Sequence, residues 1–206
     1  MPSRAHENLG VRMRDIEQLL QAHTALTQFQ RARRAAEEAG GELAKVSIVI
    51  DRLVSQPGRG RRTEVEAVNR AAIVLLCAHL QGYVRDVHSE AAQALLQCKV
   101  KDLDVLVERA GSRFGNPHAD QIDSLFASIG LPQVMEGLSW QSCSNRSVRT
   151  RLSDYIQLRN AIAHGRQLPV HKAKVTSFKR FVEVLASNFD DKLGEEIRAI
   201  TGTRPW

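Results

Sequence analysis

The stretch AAIVLLCAHLQGYVRD, residues 71–86, decides the fold class of this 206-residue chain. Its apolar residues belong to a longer pattern, residues 63–97, with the spacing of three and four that is typical of a helix with one buried face. Thr63 and Glu66 have the spacing of a capping box, so we expect the helix to begin there. The pattern predicts one helix of about 35 residues, roughly 50 Å long.

The rest of the chain also favours helices, and clear strand-like alternation is hard to find. Residues 9–39 carry one apolar stripe that ends at Gly40 and Gly41, and residues 42–54 carry a second. We interpret them as an N-terminal helical hairpin, residues 1–55. A loop rich in Gly, Pro and Arg separates this hairpin from a helical domain at residues 63–200.

Five further helices are predicted in the C-terminal half. A short one ends at Gly111, and the next has Asn116 as its N-cap and Pro117 at its first position. The others cover residues 146–164, 172–189 and 191–200. The fold class that we predict is all-α.

The amino-acid composition places only loose limits on the function. Lys and Arg total 29 against 23 Asp and Glu, a net charge of +6 that is compatible with a polyanionic partner but is also common in soluble proteins. Three cysteines without CxxC spacing favour reduced thiols inside a cell. The sequence opens with no signal peptide, and its longest apolar run is too short to cross a bilayer, so we expect a cytoplasmic protein that does not enter membranes.

The stretch RNAIAHG, residues 159–165, combines an arginine, an asparagine and a histidine at the end of a predicted helix. Arg159 and His164 lie about 140° apart around the helix, whereas Asn160 is on the face of His164. The helix dipole favours an imidazolium in the last turn, and a histidine beside a guanidinium suits phosphodiester chemistry. The alternative is an ordinary helix end, with a basic residue in the last turn and Gly165 after it.

Together with three other stretches, this motif makes the chain resemble the HEPN superfamily of nucleotide-binding helical proteins. The ribonucleases of that superfamily carry an Arg-x4-6-His motif, often with Asn after the Arg. The chain is similar to the RiboL-PSP-HEPN branch or a close neighbour over residues 63–190. The three other stretches are AAIVLLCAHLQGYVRD at 71–86, GNPHADQIDSLFASIGL at 115–131 and GLSW at 137–140.

The resemblance implies a HEPN-like helical bundle that forms a homodimer with the two motifs facing each other. It implies a metal-independent endoribonuclease without a cofactor, in which the 2′-hydroxyl attacks the phosphodiester and leaves a 2′,3′-cyclic phosphate. His164 would transfer protons, Arg159 would stabilise the phosphate charge and Asn160 would support the site. A toxin–antitoxin or phage-defence role, with RNA as substrate and an antitoxin or defence protein as partner, follows from the resemblance alone.

Two groups of residues extend the predicted site. For RNA contacts we name Arg166, which stands where some HEPN toxins have a modified tyrosine, and the basic cluster of Arg146, Arg149 and Arg151. For support of the site from the long helix we name Gln81, Arg85 and Asp86. Each group has an ordinary alternative, since charged runs usually form solvated helix faces.

Two other functions remain open from sequence. One is a HEPN module that binds RNA, nucleotide or a protein partner without cutting, because a fold does not guarantee an activity. The other is a structural helical partner in which RNAIAHG is only a capped helix end. No spacing of Cys, His and Asp typical of a metal site is found, so we expect no metal.

Overall fold

A computed structural model of the chain describes residues 1–41, 62–96 and 102–206. Within these ranges no strand forms, and the nearest approach to one is an isolated bridge between Trp140 and Cys143. The predicted all-α class is therefore confirmed. The helices in these ranges are α1 (Arg4–Ala39), α2 (Arg62–Leu95), α3 (Leu103–Arg113), α4 (Ala119–Ala127), α5 (Asn145–Ala163) and α6 (Lys172–Thr201).

Helix α2 is the centre of the bundle and packs against each of the other five helices. The described part of this helix begins at Arg62, directly after residues that lie outside the description, so the predicted capping box of Thr63 and Glu66 stays a prediction. By length and hydropathy Val65–Leu95 could cross a membrane, but half of its apolar 18-residue window is buried inside the protein. Such burial is what a central helix needs, because every face that meets a neighbour has to be apolar.

Helix α1 packs on α2 and α6 and contributes Leu9, Met13 and Ile16 to the same core. It ends at Gly40, whose φ of 69° and ψ of −167° lie in a region that is open essentially to glycine alone. The predicted second helix of the hairpin, residues 42–54, lies outside the described residues. The division into an N-terminal hairpin and a helical domain stays a prediction, although α1 and the later helices share one core.

The start of α4 differs from the prediction. The helix begins at Ala119, and its N-cap is His118, two residues after the predicted cap Asn116. The reason is that the Asn116 side chain accepts a hydrogen bond from α5 and is not used to cap α4. Pro117 is buried in the connection before the helix.

The two predicted C-terminal helices are one helix, α6. The predicted break near residue 190 is wrong because Phe189, Leu193 and Ile197 keep the four-residue spacing of one buried face across it. Asp190 lies inside this helix and is itself buried.

Helix α5, which carries the motif, follows the prediction closely. It starts after Ser144, whose hydroxyl accepts a hydrogen bond from the Ser147 amide at 3.3 Å. Its apolar face is Val148, Leu152, Tyr155 and Ile156. The helix ends at Ala163, directly before His164.

Candidate active site

His164 lies at the C-terminal end of α5, where backbone hydrogen bonds cap the last turn of the helix. His164 is the C-cap residue, and Gly165 follows with a φ of +82°. The Gly165 amide donates to the Ile162 carbonyl at 3.0 Å, and the Arg166 amide donates to the Ala161 carbonyl at 3.0 Å. This pair of bonds is the Schellman arrangement, which satisfies the last carbonyls of the helix.

The His164 side chain faces solvent. The residue is exposed, and its ring has no hydrogen-bond partner among the residues that the structure describes. A group that moves protons on a substrate needs this accessibility, since it must reach the reacting oxygen within hydrogen-bond distance.

Helix α2 fixes the segment that follows the motif. The buried Asn69 amide donates to the Val170 carbonyl at 2.7 Å, and Arg70 donates to the Leu168 carbonyl at 3.4 Å. The chain after Gly165 is therefore tied to the central helix, and the position of the helix end does not depend on the cap alone.

Arg159 is held by two amide oxygens. Its Nη1 donates to Asn116 Oδ1 and to Asn160 Oδ1, each at 2.9 Å. Its Nε is buried without a partner, while its Nη2 has no partner in the described residues and is not buried. Because both partners are neutral, the charge of the guanidinium is not offset by a contacting carboxylate.

Cys77 of α2 lies under this arginine and is not a nucleophile. Burial raises the pKa of the Cys77 thiol to about 12, although the charge of Arg159 acts in the opposite direction. A nucleophilic cysteine must be a thiolate near neutral pH, which this environment opposes. Cys77 and Cys143 are both free and buried, and Cys98 lies outside the described residues.

No hydrogen bond joins the side chains of Arg159 and His164 within one chain. The hydrogen bonds of Arg159 go to Asn116 and Asn160, and none reaches His164. Asn160 bonds to both residues. Its side-chain oxygen accepts from Arg159 Nη1, and its backbone carbonyl accepts from the His164 amide at 2.9 Å.

The four arginines predicted to contact RNA have different surroundings. Arg146 and Arg166 are exposed and have no partner in the described part of the chain. Arg149 forms ion pairs with Asp120 at 3.0 Å and Asp123 at 2.8 Å, so its charge is largely offset within the protein. Arg151 lies over the ring of Phe181 at 5.1 Å. Their role in RNA binding stays a prediction, for which the two unpaired arginines are the better placed.

The three residues on α2 that were predicted to support the site also differ in their contacts. Gln81 donates to the Phe114 carbonyl at 3.1 Å, two residues before Asn116. Arg85 and Asp86 lie one turn further from the motif, where they line a cavity of about 460 Å³. Asp86 pairs there with Arg12 of α1 at 2.7 Å. Gln81 therefore reaches the loop beside Arg159, whereas Arg85 and Asp86 form no hydrogen bond or ion pair with the motif among the described residues.

Asn116 is the residue of this site that sequence reasoning missed. An asparagine before a proline is typical of a helix N-cap, and that pattern conceals its contact with an arginine 43 positions later. No local signal in the sequence indicates the pairing. Elsewhere, no group of three or more His, Cys, Asp or Glu side chains within the described ranges is placed to hold a metal ion.

The helical bundle and the Arg-x4-His helix end together define a protein of the HEPN class. The family model RiboL-PSP-HEPN matches residues 42–195, and the chain belongs to this family. The match includes α2 to α5 and most of α6, whereas α1 lies before it. Comparison with curated proteins and with solved structures finds no match to the chain.

Proposed function

We propose that the protein is a metal-independent endoribonuclease. The observation that carries the proposal is the state of Arg159, a half-buried cation fixed by two neutral amides, with Nη2 unpaired and not fully buried, on the same helix end as the exposed His164. A fixed guanidinium of this kind is suited to a phosphate oxygen. Membership of a HEPN family, whose members are commonly nucleases, supports the same function.

The reaction is transesterification within the RNA strand. The neutral imidazole of His164 takes the proton of the 2′-hydroxyl, and the 2′-oxygen attacks the adjacent phosphorus. Arg159 stabilises the added negative charge on the pentacovalent phosphate. The bond from phosphorus to the 5′-oxygen breaks, this oxygen takes a proton from an imidazolium, and the products are a 2′,3′-cyclic phosphate and a 5′-hydroxyl.

The proposal includes a homodimer in the cytoplasm. Two proton transfers are needed, and no hydrogen bond joins Arg159 and His164 of one chain, so a second copy would supply the complementary group. Arg166 and Arg146 are proposed to contact the RNA backbone. A role as a toxin or phage-defence effector, with a protein that controls the cleavage, belongs to the same proposal and is supported by the HEPN resemblance alone.

A second function is RNA binding without cleavage. The observation in its favour is that one chain completes the phosphate-binding half of the site, with Arg159 fixed and its Nη2 unpaired, but leaves His164 without a hydrogen bond to it. Such a module would lose affinity steeply with salt, because phosphate contacts release counterions. It would give no product.

The test is cleavage of a labelled single-stranded RNA and of total RNA in EDTA. We expect the wild type to leave cyclic-phosphate ends, and Arg159→Ala and His164→Ala to reduce the rate by at least about a hundredfold while they keep the helical circular-dichroism spectrum. Arg198→Ala is the matched control, an exposed arginine near the far end of α6 that should keep wild-type activity. Equal cleavage by all four proteins would contradict the assignment.

A binding experiment separates the two functions. If no RNA is cut but the wild type binds RNA and Arg159→Ala does not, the module is a binder. If neither cleavage nor binding depends on Arg159, the helix end is structural.

A further inference from the structure

Asn116 joins the connection between α3 and α4 to the motif helix. Its Oδ1 accepts from Arg159 Nη1 at the same 2.9 Å distance as Asn160, the residue next to Arg159 in sequence. The two acceptors come from different parts of the chain, so between them they fix the direction of the guanidinium and not only its position.

The loop that carries Asn116 is itself held on both sides. Phe114 is buried and its carbonyl accepts from Gln81 of α2 at 3.1 Å. Pro117 is buried, and the His118 amide donates to the Asn116 carbonyl at 2.8 Å in a tight turn. The orientation of the Asn116 side chain is therefore set by the core and not by solvent.

A comparison within the chain shows why an amide matters. Arg149, ten positions before Arg159 on the same helix, is fixed by the carboxylates of Asp120 and Asp123. Carboxylates hold an arginine more strongly but also offset its charge. Arg159 instead donates from Nη1 to two neutral oxygens, which leaves its positive charge without a carboxylate and free for a ligand at Nη2.

We infer that Asn116 is a positioning residue for Arg159, which aims the guanidinium at the substrate phosphate without neutralising it. Gln81 acts one step further away, by holding the loop through the Phe114 carbonyl. This inference rests on the proposed function, since it assigns Asn116 a part in that same site.

The decisive variant is Asn116→Asp, beside Asn116→Ala. The aspartate keeps an oxygen against Arg159 but adds a negative charge, so we expect an unchanged or higher melting temperature and at least about a tenfold loss of kcat/KM for RNA cleavage. The alanine removes one of two acceptors and should lower the melting temperature, with a smaller loss of activity. If Asn116 had a purely structural role, the loss of activity in each variant would instead parallel the fall in its melting temperature.

Asn188→Asp is the matched control. Asn188 lies on α6, about 24 Å along the helix from Lys172, and among the described residues its side chain donates only to the Val184 carbonyl of its own helix. The same change of charge at this position should leave cleavage at the wild-type rate.

Affinity for a 2′-O-methyl RNA oligonucleotide, which cannot be cut by this reaction, gives a second readout at low salt. Asn116→Asp should weaken that affinity in parallel with Arg159→Ala. If the wild type cuts or binds RNA through Arg159 and Asn116→Asp keeps more than half of the activity and affinity, the inference is overturned while the proposed function stands. If neither cleavage nor binding depends on Arg159, the proposed function fails and the inference fails with it.

Discussion

His88 shows how burial controls a single titratable residue in this protein. It is 1% exposed, lies edge-on against Phe126, and contacts the Ser128 hydroxyl at 3.4 Å. Burial lowers the pKa of His88 to about 4, so the ring is neutral at physiological pH. Its situation is opposite to that of His164, which is exposed at the end of α5. Of these two histidines, the exposed His164 is the one available to a substrate.

Because His88 is buried, we expect the folded protein to lose stability in acid. The unfolded chain binds a proton near pH 6.5, whereas the folded chain binds it only near pH 4. The free energy of unfolding should therefore fall as the pH decreases through this window, with a contribution from His88 of about 3 kcal/mol.

Urea unfolding at pH 7, 5.5 and 4.5 measures this contribution against His88→Gln, which keeps polar contacts but cannot take up the proton. Carboxylates titrate in both proteins, so the difference in slope belongs to His88. The same pH dependence in both proteins would show that the buried ring is not responsible.

At the scale of elements, the end of α5 depends on one glycine conformation. Gly165 has a φ of +82° and donates the hydrogen bond to Ile162 that closes the last turn. Gly10 is the useful contrast, because it lies inside α1, is exposed, and has open space where a Cβ would be. The same substitution should have opposite effects at the two positions.

We expect Gly165→Ala to lower the free energy of unfolding by about 1–2 kcal/mol, because alanine is strained in the left-handed region. Gly10→Ala should raise it by up to about 1 kcal/mol, because alanine is the better helix former. Chemical denaturation of both variants checks the signs. A neutral result for Gly165→Ala would mean that the α5 terminus rearranges without cost.

The elements also show what local sequence can and cannot predict. Helices α2 and α5 follow from apolar spacing, and the end of α5 follows also from Gly165 after it, signals that lie within a few residues of the effect. The start of α4 was predicted wrongly because Asn116 uses its side chain for Arg159 of α5 and not for its own helix. The residues of the motif could be named in advance, whereas the partner that fixes Arg159 could not, because that contact exists only after the helices pack.

At the scale of the whole molecule, the first and last helices are joined by a buried polar contact. The Ser3 amide donates to Asp190 Oδ2 at 2.9 Å, and the Ser3 hydroxyl donates to Asp190 Oδ1. Both residues are almost completely buried. On the adjacent side, Glu90 of α2 accepts from the Arg4 amide at 3.1 Å. Carboxylates therefore meet the N-terminus of α1, where the helix dipole favours negative charge.

This contact makes α1 part of the bundle and not an appendage, which predicts a difference between two neighbouring aspartates. In Asp190→Asn one carboxylate oxygen becomes an NH2 group that cannot accept from Ser3, so a buried donor loses its partner and the free energy of unfolding should fall by about 1–3 kcal/mol. Asp191 is exposed and pairs with Arg204 at 2.9 Å, so Asp191→Asn should cost less than about 1 kcal/mol. Both changes remove one negative charge, which leaves burial and hydrogen bonding as the difference between them. Urea unfolding at pH 7 compares the two variants, and equal losses would show that α1 is not fastened through Asp190.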